Sequence, residues 1–176
     1  MVSLLEKPPR TTMEVFKMLP EGTRCELIDN TLYMSPAPSS SHQKTIYKLT
    51  GQFYLLLEGK SIGELYPSPI DVLLNEKNAY QPDLAFILNE NLEIVKENGI
   101  HGTPDLVIEI LSPGTKNFDL TKKKKVYEKA GVKEYWVLDN KTKISLGFQL
   151  IGKKLEEFKK EKNQFTSALL RHTFKF

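Results

Sequence analysis

The order of apolar and polar positions predicts three helices. From His42 to Glu58, apolar side chains recur at helical spacing, and Thr11 is a typical N-cap for a short helix that ends near Leu19. The lysine-rich segment from Asp119 to Ala130, closed by Gly131, predicts the third helix.

Short apolar or alternating runs predict strands around these helices. The pairs Asp29-Asn30 and Gly152-Lys153 predict hairpin turns, and residues 75–79 predict a further turn. Asn89 to Thr103 is a polar insertion with one predicted helical turn, and Ser112 to Thr115 is predicted to end the most apolar strand. The predicted strands are 25–28, 31–34, 62–66, 70–74, 82–88, 105–111, 134–139, 144–151 and 155–158. This order predicts an α/β (α+β) fold in which helices pack on a mixed sheet.

Composition and charge restrict the class of protein. The 176 residues, 40% hydrophobic and 27% charged, predict one globular domain over 1–176. Met1 to Arg10 lacks the pattern of a signal peptide, and no apolar run approaches the ~20 residues of a membrane span, so we expect a cytoplasmic protein. One cysteine, Cys25, and three histidines exclude an internal disulfide and a Cys/His zinc site.

Glu109 is the first candidate for chemistry. It interrupts the run Asp105 to Leu111, which is otherwise apolar on both faces, as in a central strand. A charge in that position costs several kcal/mol unless it is paired, protonated or bound to a metal. Two interpretations therefore remain open, a buried salt bridge to a lysine and a metal ligand.

Two aspartates compete to be the partner of Glu109. Asp83 and Asp105 each follow a proline and open a strand. Asp105 lies four residues from Glu109 on one strand, so their Cα atoms are ~13 Å apart. That separation is too large for ligands that must each lie ~2.0–2.6 Å from one ion. Asp83, on a neighbouring strand, is therefore the predicted partner.

The candidate donors indicate the class of metal. Carboxylate oxygens with few histidines and no thiol cluster favour Mg²⁺ or Mn²⁺. Such an ion can bind a phosphate oxygen, activate an attacking water and stabilise the leaving oxygen. Lys123 is a candidate to offset transition-state charge, since Asp119, Lys123 and Tyr127 share one helix face. The alternative is a surface Asp-Lys pair beside a core tyrosine.

Five segments in this order resemble a known family. Together they are similar to the Uma family of putative restriction endonucleases, a branch of the PD-(D/E)xK nuclease superfamily, from about Glu14 to Ile151. The segments are Glu26 to Asp29, Ser35-Pro36 with His42-Gln43, Gln81 to Leu84, Pro104 to Pro113, and Gly131 to Asp139.

The resemblance implies a restriction-endonuclease-like mixed sheet and a set of site residues. It assigns the metal to Asp83 and Glu109, with Glu26 as a third ligand; the alternative for Glu26 is an exposed hairpin residue. The superfamily lysine two residues after the Glu is replaced here by Leu111. Lys123 corresponds to the lysine that this family often carries on the following helix. His42 matches a recurrent position at a helix start, where it could contact phosphate or cap the loop.

Three functions remain open from the sequence. The first is a metal-dependent endonuclease acting on DNA, with catalytic residues Asp83, Glu109 and Lys123. Surface lysines would then attract the phosphate backbone, namely Lys122, Lys124, Lys125 and Lys133. The second is a non-catalytic nucleic-acid-binding or protein-interaction domain on a nuclease-like fold, and the third is cleavage of another phosphodiester such as RNA. A homodimer would suit double-strand cutting, and Lys159 to Phe176 is a candidate for packing on a partner subunit.

Overall fold

The computed structural model describes residues 11–112 and 119–176. Two predictions fall outside these ranges. One is that residues 1–10 are not a signal peptide, and the other is that residues 113–115 end a strand. The described helices are α1 (Thr12–Lys17), α2 (Ser40–Leu57) and α3 (Lys124–Ala130), with a 3-10 helix at Asn89–Ile94 and a π-helical turn at Asp119–Lys123. The described strands are β1 (Cys25–Ile28), β2 (Thr31–Met34), β3 (Gly63–Pro67), β4 (Val72–Asn75), β5 (Asn78–Tyr80), β6 (Leu84–Leu88), β7 (Val95–Lys96), β8 (Gly99–Ile100), β9 (Leu106–Ile110), β10 (Glu134–Asp139), β11 (Ile144–Ile151), β12 (Lys154–Lys162), β13 (Gln164–Ser167) and β14 (His172–Lys175).

A mixed six-stranded sheet forms the centre of the molecule, in the order β12-β11-β10-β9-β6-β3. Only β9 and β10 are parallel neighbours in this sheet, and α3 lies on the connection between them. A second sheet has the order β2-β1-β5-β4-β8-β7, and β13 pairs with β14. The predicted mixed sheet with helices packed on it is confirmed.

Local signals explain the first elements. Thr11 and Glu14 form a reciprocal capping box at the start of α1. Asp29 and Asn30 both have positive φ, 47° and 65°, which is the backbone that a two-residue hairpin turn requires between β1 and β2. The Thr11 N-cap and the hairpin turn were both predicted from residue type alone.

The two faces of β9 pack against different partners. Leu106, Ile108 and Ile110 share a core cluster with residues of α2. Val107 shares a second cluster with Tyr127 of α3. Because side chains alternate along a strand, Glu109 belongs to the same face as Val107 and points towards α3. The apolar run thus has an acidic side chain on its α3 face.

Two stretches without predicted strands contain short ones. Residues 75–79 were predicted to form a turn, but β5 begins at Asn78 and pairs with β1 and β4. The 89–103 insertion contains a 3-10 helix, as expected near Leu92, and also β7 and β8. Strands of two or three residues are too short for an alternating apolar-polar pattern to be recognised in the sequence.

The C-terminal segment packs on the chain's own core, so its predicted use as a partner contact is wrong for its phenylalanines. Phe165, Phe174 and Phe176 are buried in the cluster that contains Phe53 and Trp136. The Phe174 ring lies 4.2 Å from Phe53 and 4.9 Å from Phe165 between centroids. These rings cover the same face of the central sheet as α2.

No helix in residues 11–112 and 119–176 has both the length and the apolar character needed to cross a membrane.

Replacing Gly147 by alanine should destabilise the fold. Gly147 of β11 lies opposite Trp136 of β10, and a Cβ at this position would lie 2.5 Å from the indole ring. We expect the free energy of unfolding to fall by about 1–3 kcal/mol, because the buried indole has no room to move. Urea unfolding would measure it. Gly51→Ala is the matched control. Its Cβ would contact nothing at this exposed position of α2, and alanine favours the helix, so the free energy of unfolding should rise by about 0.5–1 kcal/mol. Equal effects from the two substitutions would contradict the prediction.

Candidate active site

Strand register brings Asp83 and Glu109 together. Strands β6 and β9 are antiparallel, with Leu84 opposite Ile108. One residue further along this register, Asp83 lies opposite Glu109. Asp83 was the partner predicted by distance, and its position beside Glu109 agrees with that expectation.

Asp83 is held by one of its two oxygens. Its Oδ2 accepts the backbone N–H of Ile110 at 2.7 Å and forms an ion pair with His42 Nε2 at 3.0 Å. The same Nε2 lies 3.1 Å from the Ile110 carbonyl oxygen, so both neighbours are acceptors and Nε2 carries the proton. His42 stands in the first turn of α2, whose N-cap is Ser39. The structure therefore gives His42 a partner that its sequence position did not identify.

Glu109 is also contacted through one oxygen. Its Oε1 accepts hydrogen bonds from Lys123 Nζ at 3.1 Å and from the Tyr127 hydroxyl at 2.9 Å. Glu109 is 4% exposed and Tyr127 is fully buried. Tyr127 thus contacts Glu109 directly, whereas the sequence indicated it only as a helical neighbour of Lys123.

Lys123 reaches three carboxylates. Its Nζ lies 2.9 Å from Glu26 Oε1, 3.1 Å from Glu109 Oε1 and 3.5 Å from Asp119 Oδ1. Lys123 is 6% exposed and Asp119 is 2% exposed, so the alternative of a surface Asp-Lys pair is wrong. Lys123 reaches the acidic residues from the helical segment that follows β9, where the family resemblance placed it.

Glu26 joins the cluster from the second sheet. It is 8% exposed, which excludes the alternative of an exposed hairpin residue. Its Oε1 also accepts the backbone N–H of Gln81 at 3.1 Å, two residues before Asp83. Both sheets therefore contribute to one site.

The π-helical turn and α3 hold Lys123 in place. Tyr135 of β10 donates its hydroxyl to the backbone carbonyl of Asp119 at 3.0 Å. At the other end, Gly131 has a left-handed backbone (φ 91°) and its N–H caps the carbonyl of Tyr127. The helix is fixed at both ends above the face of β9 that carries Glu109.

Burial and charge shift the pKa values of the cluster. Burial raises the pKa of Glu109 well above 4.5, and the Asp119, Asp83 and Glu26 carboxylates raise it further against the opposing effect of Lys123. Burial lowers the pKa of Lys123, but Glu109, Glu26 and Asp119 outweigh it, so the pKa lies well above 10.5. Burial likewise lowers the pKa of His42, and the hydrogen bond and charge of Asp83 raise it above 6.5.

The cluster contains more acidic than basic groups. Glu26, Asp83, Glu109 and Asp119 are all buried, and the basic side chains in direct contact with them in the described residues are Lys123 and His42. A structural salt bridge for Glu109 would require one lysine and one carboxylate. Even without Asp119, three buried carboxylates share these two basic side chains. Such an excess of buried acid is costly unless a carboxyl group takes up a proton or a further cation balances the charge.

The donors fit a hard divalent cation at Asp83 and Glu109. In the described residues, hydrogen bonds to these carboxylates go to Asp83 Oδ2 and Glu109 Oε1, which leaves one oxygen of each for a ligand. Oxygen donors of this kind suit Mg²⁺ or Mn²⁺. No group of three or more His, Cys, Asp and Glu side chains in the described residues has a metal-binding arrangement. Lys123 Nζ lies between Glu26 and Glu109, and its ammonium competes for their oxygens.

Asp105 has a different role. Its Oδ2 accepts the backbone N–H of Leu88 at 2.8 Å, and Asn91 and Lys133 Nζ bind Oδ1, each at 2.8 Å. These contacts join the ends of β6 and β9 farthest from Asp83. Of the two Pro-Asp-Leu strands, only the first sends its aspartate to the acidic cluster.

The acidic cluster opens into a cleft of about 1230 Å³. The cleft is lined by all four acids, by Lys123 and His42, and by the segment from Tyr33 at the end of β2 to Ser39. A cavity of this size exceeds the ~300–1,000 Å³ of ordinary small-molecule pockets. The site is therefore accessible to a large substrate.

Comparison with known proteins identifies the family. A family model described as "Uma2: Putative restriction endonuclease" matches residues 13–174. The chain belongs to the Uma2 family. A crystal structure described as a "putative nuclease belonging to DUF820" from Anabaena variabilis ATCC 29413 has the same fold as this Uma2 chain: the TM-score is 0.75 over 93% of this chain and 92% of that chain, at 17% sequence identity. A search of curated proteins finds no match.

The Uma2 site brings together four of the residues singled out from the sequence: Glu26, Asp83, Glu109 and Lys123. His42, Asp119 and Tyr127 complete it through direct contacts. Helical spacing signalled Asp119 and Tyr127, and the family resemblance placed His42 at a helix start. The contacts of His42 and Tyr127 depend on strands and helices that are distant in sequence, so spacing alone did not assign them.

Proposed function

We propose that this Uma2 chain is a divalent-metal-dependent endonuclease that hydrolyses DNA phosphodiester bonds. The observation that carries the proposal is the surplus of buried carboxylates around one lysine at the inner end of an open cleft. Buried acids that are not fully neutralised by protein cations are typical of sites that bind a metal and a phosphate. Membership of the Uma2 family supports the nuclease class.

Each residue has a proposed role. Asp83 and Glu109 would hold Mg²⁺ or Mn²⁺, with Glu26 as a third ligand. When bound, the ion would supply a Lewis acid for the scissile phosphate and lower the pKa of an attacking water. Lys123 would donate hydrogen bonds from its Nζ to the phosphate oxygens on which negative charge develops. His42 and Tyr127 act through Asp83 and Glu109, whose carboxylates they hold in position.

A non-catalytic binding domain is the second candidate. It is favoured by the ion pairs of Lys123, which occupy Glu26 and Glu109 without a metal. The surplus acids argue against it, because a domain that only bound DNA would gain nothing from buried negative charge beside the phosphates.

Plasmid cleavage with an aspartate pair as matched variants tests the proposal. Supercoiled DNA should be nicked or linearised with Mg²⁺ or Mn²⁺ and left intact with EDTA. Asp83→Asn should lower the rate by at least ~100-fold, because the charged ligand is lost. Asp105→Asn changes the same residue type after the same proline outside the site, and its cleavage rate should stay close to that of the unmodified protein.

A folded protein that binds DNA without cutting it in any divalent metal would contradict the endonuclease and support the binding domain. Equal loss of activity in both aspartate variants, with both folded, would contradict the role given to Asp83. Cleavage of RNA in preference to DNA would keep the chemistry and change the substrate. The single domain, the homodimer and the cytoplasmic location predicted from the sequence stay predictions.

A further inference from the structure

A group of exposed lysines lines the mouth of the same cleft that contains the acids. Lys44 and Lys48 stand four residues apart on α2, and Lys141 and Lys143 lie in the connection between β10 and β11. The acids are 2–8% exposed, whereas Lys44, Lys48 and Lys141 are exposed and Lys143 is half-buried. We call these four lysines the basic rim.

Hydrogen bonds fix the two parts of the basic rim relative to each other. Thr45 of α2 donates its hydroxyl to Asn140 Oδ1 at 2.9 Å, and Asn140 Nδ2 donates to the Ser41 carbonyl at 3.3 Å. Asp139 Oδ1 accepts the backbone N–H groups of Lys141 and Thr142, which shapes the turn. The start of α2 and the β10–β11 turn therefore form one wall of the cleft.

The rim lysines are not neutralised within the described chain. None of the four forms an ion pair with a carboxylate in residues 11–112 and 119–176; Lys143 instead lies over the Phe176 ring, 5.6 Å from its centroid. By contrast, Lys133 is paired with Asp105 and Glu90, and Lys159 with Glu161. The rim charges are available to a ligand outside the protein.

The basic rim differs from the lysines expected from the sequence. The four lysines that were predicted to attract phosphate do not line the cleft; they are Lys122, Lys124, Lys125 and Lys133. Lys124 lies over the Phe148 ring at 4.9 Å from its centroid. A charge run in sequence did not reveal which lysines face the site.

We propose that the basic rim binds the phosphate backbone of the DNA duplex and guides the scissile strand to the acidic cluster. The proposal rests on the proposed function and names the contact surface that this function needs. Ammonium groups spaced along one wall of the cleft suit consecutive phosphates, and the buried acids inside it suit the one phosphate that reacts. The rim lysines are binding residues, because they contact the strand outside the reacting phosphate.

Salt dependence of DNA binding in EDTA tests the basic rim without requiring cleavage. A short fluorescent duplex is titrated with the full chain between about 50 and 200 mM salt, and log K is plotted against log[salt]. The double variants Lys44→Gln/Lys48→Gln and Lys141→Gln/Lys143→Gln should each lower the magnitude of the slope by about 2, and the quadruple variant by about 3 to 4. A thermal unfolding curve verifies that each variant is folded, and the α2 pair is decisive if the turn variant is unstable.

A matched control set keeps the charge change constant. Lys125, Lys129, Lys153 and Lys154 are exposed and do not line the cleft. Their quadruple glutamine variant should keep most of the slope. An equal fall in slope from this set would overturn the proposal, because binding would then follow net charge.

Cleavage assays separate failure of the rim from failure of the function. If the protein cuts DNA and the folded α2 variant keeps the full slope and rate, the rim proposal is wrong and the endonuclease stands. If the rim variants lose slope but no metal supports cutting, the rim stands as a DNA-binding surface and the endonuclease is wrong.

Discussion

Glu109→Gln should abolish metal-dependent cleavage and raise the stability of the protein. The substitution keeps the shape of the side chain and removes one charge from a buried cluster of four acids. Glutamine can still accept the hydrogen bonds of Lys123 and Tyr127, while Lys123 keeps Glu26 and Asp119 as ion-pair partners. We expect a loss of rate of at least ~10³-fold, because a charged metal ligand is replaced by a neutral amide.

The expected gain in stability follows from the pKa of Glu109. Its pKa is raised above 4.5 in the folded protein, so its contribution to stability is fully present below pH 4.5 and is lost as the pH rises through the folded value. The charged form of Glu109 is therefore less favourable in the folded protein than the neutral form. Its removal should increase the free energy of unfolding by about 1 kcal/mol, as often found when a charged active-site group is removed. Urea unfolding at pH 7 and a plasmid assay measure the two effects.

Glu134→Gln is the matched control for Glu109. Glu134 is a buried glutamate at the start of the neighbouring strand β10, and it accepts hydrogen bonds from the Trp136 indole and the Leu169 backbone N–H. In the glutamine variant, the amide NH₂ would face one of these two N–H donors and could not accept its hydrogen bond. We therefore expect the free energy of unfolding to fall by about 1–2 kcal/mol, with cleavage retained. If Glu109→Gln instead lost several kcal/mol, Glu109 would be a structural ion-pair partner and the metal proposal would be in error.

The sequence pointed to Glu109 because a charged side chain is unexpected in a buried strand. Glu109 stood out in an apolar strand. Strand geometry then favoured Asp83, because the Cα atom of Asp105 lies ~13 Å from that of Glu109 on the same strand. The structure agrees with both steps, since Asp83 lies opposite Glu109 and Asp105 binds Lys133 at the other end of the strands. Such arguments succeed where the distance in question runs along a single strand, because the rise per residue then gives it directly.

Contacts between elements distant in sequence could not be predicted. The pairing of His42 with Asp83 depends on how α2 packs across the sheet, and no local pattern encodes that packing. Glu26 reaches Lys123 only because the second sheet lies against α3, and its position came from family resemblance rather than from spacing. The burial of Phe174 against Phe53 joins residues 121 positions apart, and for such pairs the sequence specifies apolar character without a partner.

Lys123→Met should cause the largest loss of stability among the site variants. Methionine fills a similar volume, but Glu26, Glu109 and Asp119 would lose their shared ammonium partner. Removing one member of a buried ion pair costs about 3–5 kcal/mol, and cleavage should fall by ~10²–10³-fold with the loss of the cationic donor. Urea unfolding in EDTA at neutral pH measures the first effect. Lys133→Met, which removes a half-exposed lysine from its pair with Asp105, should cost about 1 kcal/mol or less.

The pH and metal dependence of the Lys123 variant distinguish charge from packing. The pKa of Lys123 is raised above 10.5, so its stabilising contribution is complete throughout the neutral range and is lost only as the pH rises through the folded value. Without it, the pKa of Glu109 rises further above 4.5, and the variant should regain stability as the pH falls towards 4.5. Mg²⁺ at neutral pH should raise its Tm more than that of the unmodified protein, because the ammonium no longer competes for the carboxylate oxygens. A deficit that neither acid nor Mg²⁺ reduces would mean that Lys123 stabilises the fold by packing, and the acids would then not form a cation site.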